Sequence, residues 1–143
     1  MRGLVQGLTR SGAATDPSSP DALLRGRTYA IPFEDVWNAA VRIAAGELRG
    51  WGLLRADDRA GLIEAEVQAG LFGSVDDVRI RIGLDENAQT RVDLEASARS
   101  ARGDLGRNRR SIGRFLKRLD RALAPGPNQI LDPSRIPAWL EQA

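Results

Sequence analysis

The chain has 143 residues, 42% of them hydrophobic and 28% charged, with a formal net charge of +2; that is enough for one compact domain with its own core and too little for two of ordinary size. It contains no cysteine and no histidine, which excludes thiolate nucleophiles, Ser-His-Asp triads, disulfide frameworks and ordinary zinc or haem ligation. Between Arg99 and Arg121, nine basic residues stand against Asp104 and Asp120, a net of +7 that leaves −5 on the remainder, so a local basic element sits on an acidic body.

Residues 1–25 are rich in Gly, Ser, Pro and Ala without sustained periodicity, the pattern of an extended arm. Gly3, Gln6, Gly7 and Thr9 interrupt the opening before a signal-peptide core forms, and no eighteen apolar residues run together. The expectation is a soluble, cytoplasmic protein with no transmembrane segment, at most peripheral to a membrane. "RTYAI" (27–31) reads as a short strand that Pro32 ends, opening a helix with Glu34 and Asp35 in its first turn. Phe33, Val36, Trp37, Ala40, Val41, Ala44 and Leu48 recur along it at helical steps, and Gly50 is expected to stop it.

Four strands follow. "WGLLRAD" leads into "GLIEAEVQAG", "DDVRIRIGL" and "TRVDLEASA", the last three with strict alternation of apolar and charged residues. Closing "LDENAQT" as a hairpin places Leu84 opposite Thr90, Arg81 opposite Asp93 and Arg79 opposite Glu95. Setting Ala65 opposite Ile80 then predicts two charge rows, Glu64–Arg81–Asp93 and Glu66–Arg79–Glu95, on a solvated outer face.

With Asp104 as N-cap, the last helix puts Leu105, Ile112, Phe115, Leu116, Leu119 and Leu123 on its core face. Arg107, Arg110, Arg114, Arg118 and Arg121 form a stripe opposite. The tail 124–143 has four prolines between Pro125 and Pro137 and is expected to be extended, with Ile130, Leu131, Ile136, Trp139 and Leu140 packed back on the domain. The domain itself is set at 26–123. Trp37, Trp51, Phe72 and Phe115 are expected to fill the space between helices and sheet.

"GLIEAEVQAGLFGSVDDVRIRI" and "TRVDLEASARSARGDLGRNRRSIGRFLKRL", with the lead-in "RGRTYAIPFEDVWNAA", resemble the domain-of-unknown-function 1499 family over about residues 25–123. The most specific parts are Asp76-Asp77 opening a strand and the segment Arg99, Asp104, Leu105, Gly106, Asn108, Arg110, Ile112. Where the family tends to have an Arg and two serines before the match to Arg99, this chain has Glu95, Ala96 and Ala98. The resemblance supports the architecture and implies no particular activity.

Two groups of residues invite a function. The first is a polar cluster of Asp76, Asp77, Arg99, Asp104, Asn108 and Arg110 where the last strand hands over to the last helix. Its structural reading is a capped, salt-bridged corner with Arg99 bridging the aspartates. Its functional reading is an enzyme or small-ligand site: an anion at Arg99 and Arg110, or a divalent cation at the aspartates, weakened because strand neighbours point to opposite faces. The second is the arginine stripe. Its plain reading is a solvated face; its functional one is contact with an acidic protein partner, then an anionic membrane surface, then nucleic acid. No cofactor and no catalytic or metal-ligating residue is implied. The element order predicts an α+β two-layer sandwich, β-α-β4-α, with both helices on one face of an antiparallel sheet, like the TATA-box-binding and helix-grip arrangement.

Overall fold

In a computed structural model, residues 12–69, 73–99, 106–124, 126 and 129–131 are described. The architecture is α+β: a seven-stranded antiparallel sheet with two helices. The strands are β1 (Gly12–Ala14), β2 (Arg27–Tyr29), β3 (Trp51–Asp57), β4 (Leu62–Ala69), β5 (Ser74–Leu84), β6 (Thr90–Ala98) and β7 (Ile130–Leu131), and the helices are α1 (Phe33–Arg42) and α2 (Arg107–Leu123). Strand order is β3-β4-β5-β6-β2-β7, with β1 also on β6.

The two end strands enter from segments expected to lie outside the sheet. From Gly12 on, the expected arm is instead integrated: β1 pairs with Ser97, Ala96 and Glu95 of β6, Ala13 is buried, and a short 3-10 turn, Ala22–Leu24, buries Leu24. β1 and β2 lie end to end along one edge of β6, which β2 meets at Val92, Arg91 and Thr90. Small residues explain the strand that periodicity missed, because a Cβ at Gly12 would stand 2.5 Å from the Ala96 carbonyl oxygen. β7 pairs with β2, drawing Ile130 and Leu131 of the tail onto the sheet; Ile136, Trp139 and Leu140 lie outside the described residues.

Pro32 opens α1 with Glu34 and Asp35 in the first turn, and Val36, Trp37, Ala39 and Ala40 are buried. The α-helix stops at Arg42, short of the expected end. A single π turn, Ile43–Glu47, follows, and Gly46 at φ 140° redirects the chain, a backbone setting that suits glycine alone. The core joins these helix residues to Ile63, Ala65 and Val67 of β4, Val78, Ile80 and Ile82 of β5, Val92, Leu94 and Ala96 of β6, and Ile112, Phe115, Leu116 and Leu119 of α2. Trp51 stacks on Phe115 with ring centroids 5.3 Å apart, and Trp37 stacks on Phe33 at 5.7 Å. The aromatics therefore fill the interlayer space; Phe72 lies outside the described residues.

The β5/β6 register is as predicted, with Leu84 opposite Thr90, Arg81 opposite Asp93 and Arg79 opposite Glu95. β4 is shifted by two residues from its expected place: Ile63, not Ala65, faces Ile80. The pin is Gly61, whose carbonyl accepts from Ile82 N at 2.8 Å and whose absent Cβ would lie 2.2 Å from the Ile82 carbonyl oxygen. The charge rows change accordingly. Glu64–Arg79–Glu95 is one row, Leu62 faces Arg81, and Glu66 faces Asp77, which faces Ser97.

Candidate functional site

The corner at the end of β6 separates into two ion-pair systems on opposite sides of the sheet. Asp76 points inward and is fully buried. Arg107, the first residue of α2, donates to both its oxygens, Nε to Oδ2 at 2.7 Å and Nη2 to Oδ1 at 2.6 Å. That is the bidentate fit a buried carboxylate needs if its charge is to be kept. Asp77 points outward, where the two-residue shift of β4 brings it opposite Glu66. Two carboxylates facing each other repel. Arg99 answers both, donating from Nε and Nη2 to Asp77 Oδ1 at 3.0 and 2.8 Å and from Nη2 to Glu66 Oε1 at 3.0 Å. Those hydrogen bonds, first to Asp77 and then to Glu66, push the guanidinium pKa upward.

The expected cluster is thus only partly assembled. Arg99 bridges Asp77 and Glu66, not Asp76 and Asp77, because adjacent strand residues face opposite ways. Arg107 takes the inner role. Asn108 is buried at the start of α2, whereas Arg110 is exposed. Asp104, the expected N-cap, lies outside the described residues; α2 opens at Arg107, preceded by Gly106 at φ 83°. Among the described residues no group of three carboxylates is placed to hold a metal ion. The outer face carries an open concavity of about 410 Å³ lined by Leu54, Glu64, Asp77, Arg79, Glu95 and Ser97, in which Arg79 approaches Glu64 at 3.5 Å.

On α2 the structure sorts seven basic residues into two kinds. Arg107 is held by Asp76, Arg109 by Asp21 at 2.5 and 3.0 Å, and Arg118 by Glu47 at 2.9 Å. Arg110, Arg114, Lys117 and Arg121 are exposed and form no ion pair among the described residues. Their 4-3-4 spacing confines them to an arc of about 60° over a length of about 16 Å, opposite the buried Asn108, Ser111, Ile112, Phe115, Leu116 and Leu119. The expected stripe therefore loses Arg107 and Arg118 to internal partners and gains Lys117.

One polar group escaped the sequence reading. Tyr29, fully buried in β2, donates its hydroxyl to Asp120 Oδ1 at 2.5 Å, and Arg27 donates to the same carboxylate from Nε at 3.0 and 3.1 Å and from Nη2 at 2.8 Å. Burial first, then the Asp120 carboxylate, drive the Tyr29 pKa far above its ordinary value. The signal was present, since Asp120 is the one acid in a helix otherwise crowded with cations and the lone tyrosine lies in a strand. What that pattern lacks is the distance in sequence that the fold closes.

The family described as Protein of unknown function (DUF1499) matches residues 9–119. The chain belongs to the DUF1499 family. The match begins ahead of β1, so this DUF1499 chain carries the N-terminal edge strand, and not only the meander and α2, inside the family's span. No curated protein and no solved structure matches it. Among the described residues no helix is long and apolar enough to cross a membrane.

Proposed function

We propose that this protein is a non-enzymatic binding or assembly module that engages an acidic protein partner through the outer face of α2. The observation that carries the reading is the division of charge on that helix: three cations are matched by acids from distant segments, and four in a line are not. Leaving them so has a cost. Arg110 with Arg114, Arg114 with Lys117 and Lys117 with Arg121 are like-charge neighbours, each destabilising a helix by about 0.2–0.5 kcal/mol. A fold that supplies Asp21, Glu47 and Asp76 to the flanks supplies nothing to the centre line, which is the arrangement an external acid completes. Three of the four are arginines, suited to bidentate carboxylate contacts.

The carboxylates of the corner support the same reading, since Asp76 is taken up by Arg107 and Asp77 by Arg99 as partners in ion pairs. The placement of both helices against the inner face of an antiparallel sheet also supports reading β2 to α2 as a helix-grip-like unit, to which β1 and β7 are additions. Native mass spectrometry of the tagged protein, purified gently at low salt from its own cells after nuclease treatment, tests the function. A stoichiometric partner that is lost on reversal of Arg110, Arg114 and Lys117 to Glu is expected; a bare monomer from the unaltered chain would sink the reading.

A further inference from the structure

We infer that the occupant of the α2 stripe is a narrow acidic polypeptide segment, a helix or strand one chain wide, and not a flat anionic surface; the inference rests on the binding role proposed above. The argument comes from what borders the stripe. On one flank Arg109 is closed by Asp21, and Asp120 by Arg27 and Tyr29. On the other flank Arg107 is closed by Asp76 and Arg118 by Glu47. Both flanks, at both ends of the helix, carry cations already engaged by carboxylates, with Glu47 shared between Arg118 and Arg42. Among the described residues of α2, the uncompensated charge is therefore one helix ridge wide and about 16 Å long.

A flat surface laid on this ridge meets four open cations, while on either side it meets arginines already engaged and brings its own negative charge against the carboxylates of Asp21 and Glu47, which are only part-buried at 29% and 36% side-chain exposure. Four cations alone hold an anionic bilayer at roughly the millimolar level. No apolar side chain stands among Arg110, Arg114, Lys117 and Arg121 to insert into lipid, and no aromatic stands there to stack on bases. A single acidic chain avoids the flanking carboxylates. The rise between successive cations, about 4.5–6 Å along the axis, matches the spacing of carboxylates on one face of an acidic helix, so that guanidinium and carboxylate can meet in register.

The test uses the full chain and four probes at one low ionic strength. They are a synthetic alanine-based helical peptide with glutamates at i, i+4, i+7 and i+11, a peptide of the same composition with glutamates distributed around all faces, phosphatidylcholine vesicles containing phosphatidylserine, and single-stranded oligothymidylate. The aligned peptide is expected to bind about tenfold more tightly than the distributed one, and Arg114→Glu to remove that preference while the circular dichroism spectrum stays unchanged. Equal binding of the two peptides overturns the inference. So does tighter binding of vesicles or oligonucleotide than of the aligned peptide; if Arg114→Glu abolishes that binding, the binding role of the α2 ridge survives and only the occupant is wrong. Failure of every probe to bind overturns both.

Discussion

The open face of the sheet and the outer face of α2 are both crowded with charge, yet they treat it in opposite ways. On the sheet, Arg79 meets Glu64 and Arg99 spans Glu66 and Asp77 across neighbouring strands, which helps set register; Arg91 meets Asp93 within β6, and Arg81 forms no ion pair among the described residues. On α2, Arg110, Arg114, Lys117 and Arg121 have no such partner among the described residues and repel along the helix. Most of the charge on the sheet serves the fold, whereas charge on the helix ridge is tolerated by it.

That contrast can be broken by substitution, and the largest effect belongs to the pair buried beneath both faces. Arg107→Ala strands Asp76 in the core without its cation and is expected to cost about 3 kcal/mol in urea unfolding; the double variant Asp76→Leu, Arg107→Met should recover most of that loss. Asp120→Ala, which leaves the Tyr29 hydroxyl buried and unmatched, is expected to cost about 2 kcal/mol.

The tyrosine adds a pH dependence. The native state keeps the phenolic proton well above the ordinary value of 10.0 while the unfolded chain releases it there. Above that pH the unfolded state binds fewer protons than the native state, so stability falls as pH rises. Tyr29→Phe should flatten the alkaline limb of a stability-against-pH curve, whereas a slope left intact would place its origin elsewhere.

A smaller change of opposite sign is expected on the ridge. Arg114→Glu turns two like-charge neighbours into attractive ones and should raise stability by about 0.5 kcal/mol while weakening partner binding, the signature of a residue retained for contact. A loss of stability there would mean that the ridge serves the fold after all. Smallest is Arg99→Ala, which removes an exposed bridge between two facing carboxylates: a drop in thermal midpoint smaller than any change above is expected, because exposed ion pairs are screened. A larger drop would show that facing Glu66 and Asp77 need their cation.

The sheet was largely legible because alternation assigns faces and a short loop assigns partners, as at Leu84 and Thr90. It was legible only up to a slip of two residues in β4, since moving Glu64 from Arg81 to Arg79 leaves every side chain on the same face. A glycine contact, Gly61 with Ile82, resolves what periodicity cannot. The ridge of α2 was legible from spacing, but which arginines are answered was not: Asp21, Glu47 and Asp76 lie 88, 71 and 31 residues away from their partners. The Asp76-Asp77 motif was visible as a motif, and its division across the sheet followed from strand geometry alone.

The shared edge of β6 bears on the order in which the molecule is built. β3 to β6 form a meander of neighbours in sequence, while β1 and β2 must wait for a strand more than sixty residues away, as the Thr15–Asp93 hydrogen bond, 78 residues apart, illustrates. Local contacts close early and distant ones late, and chains emerge from the ribosome N-terminus first. The first strands to be synthesised are thus expected to be among the last to dock. With three residues each, they are also the strands whose amides should exchange with solvent soonest in the finished protein.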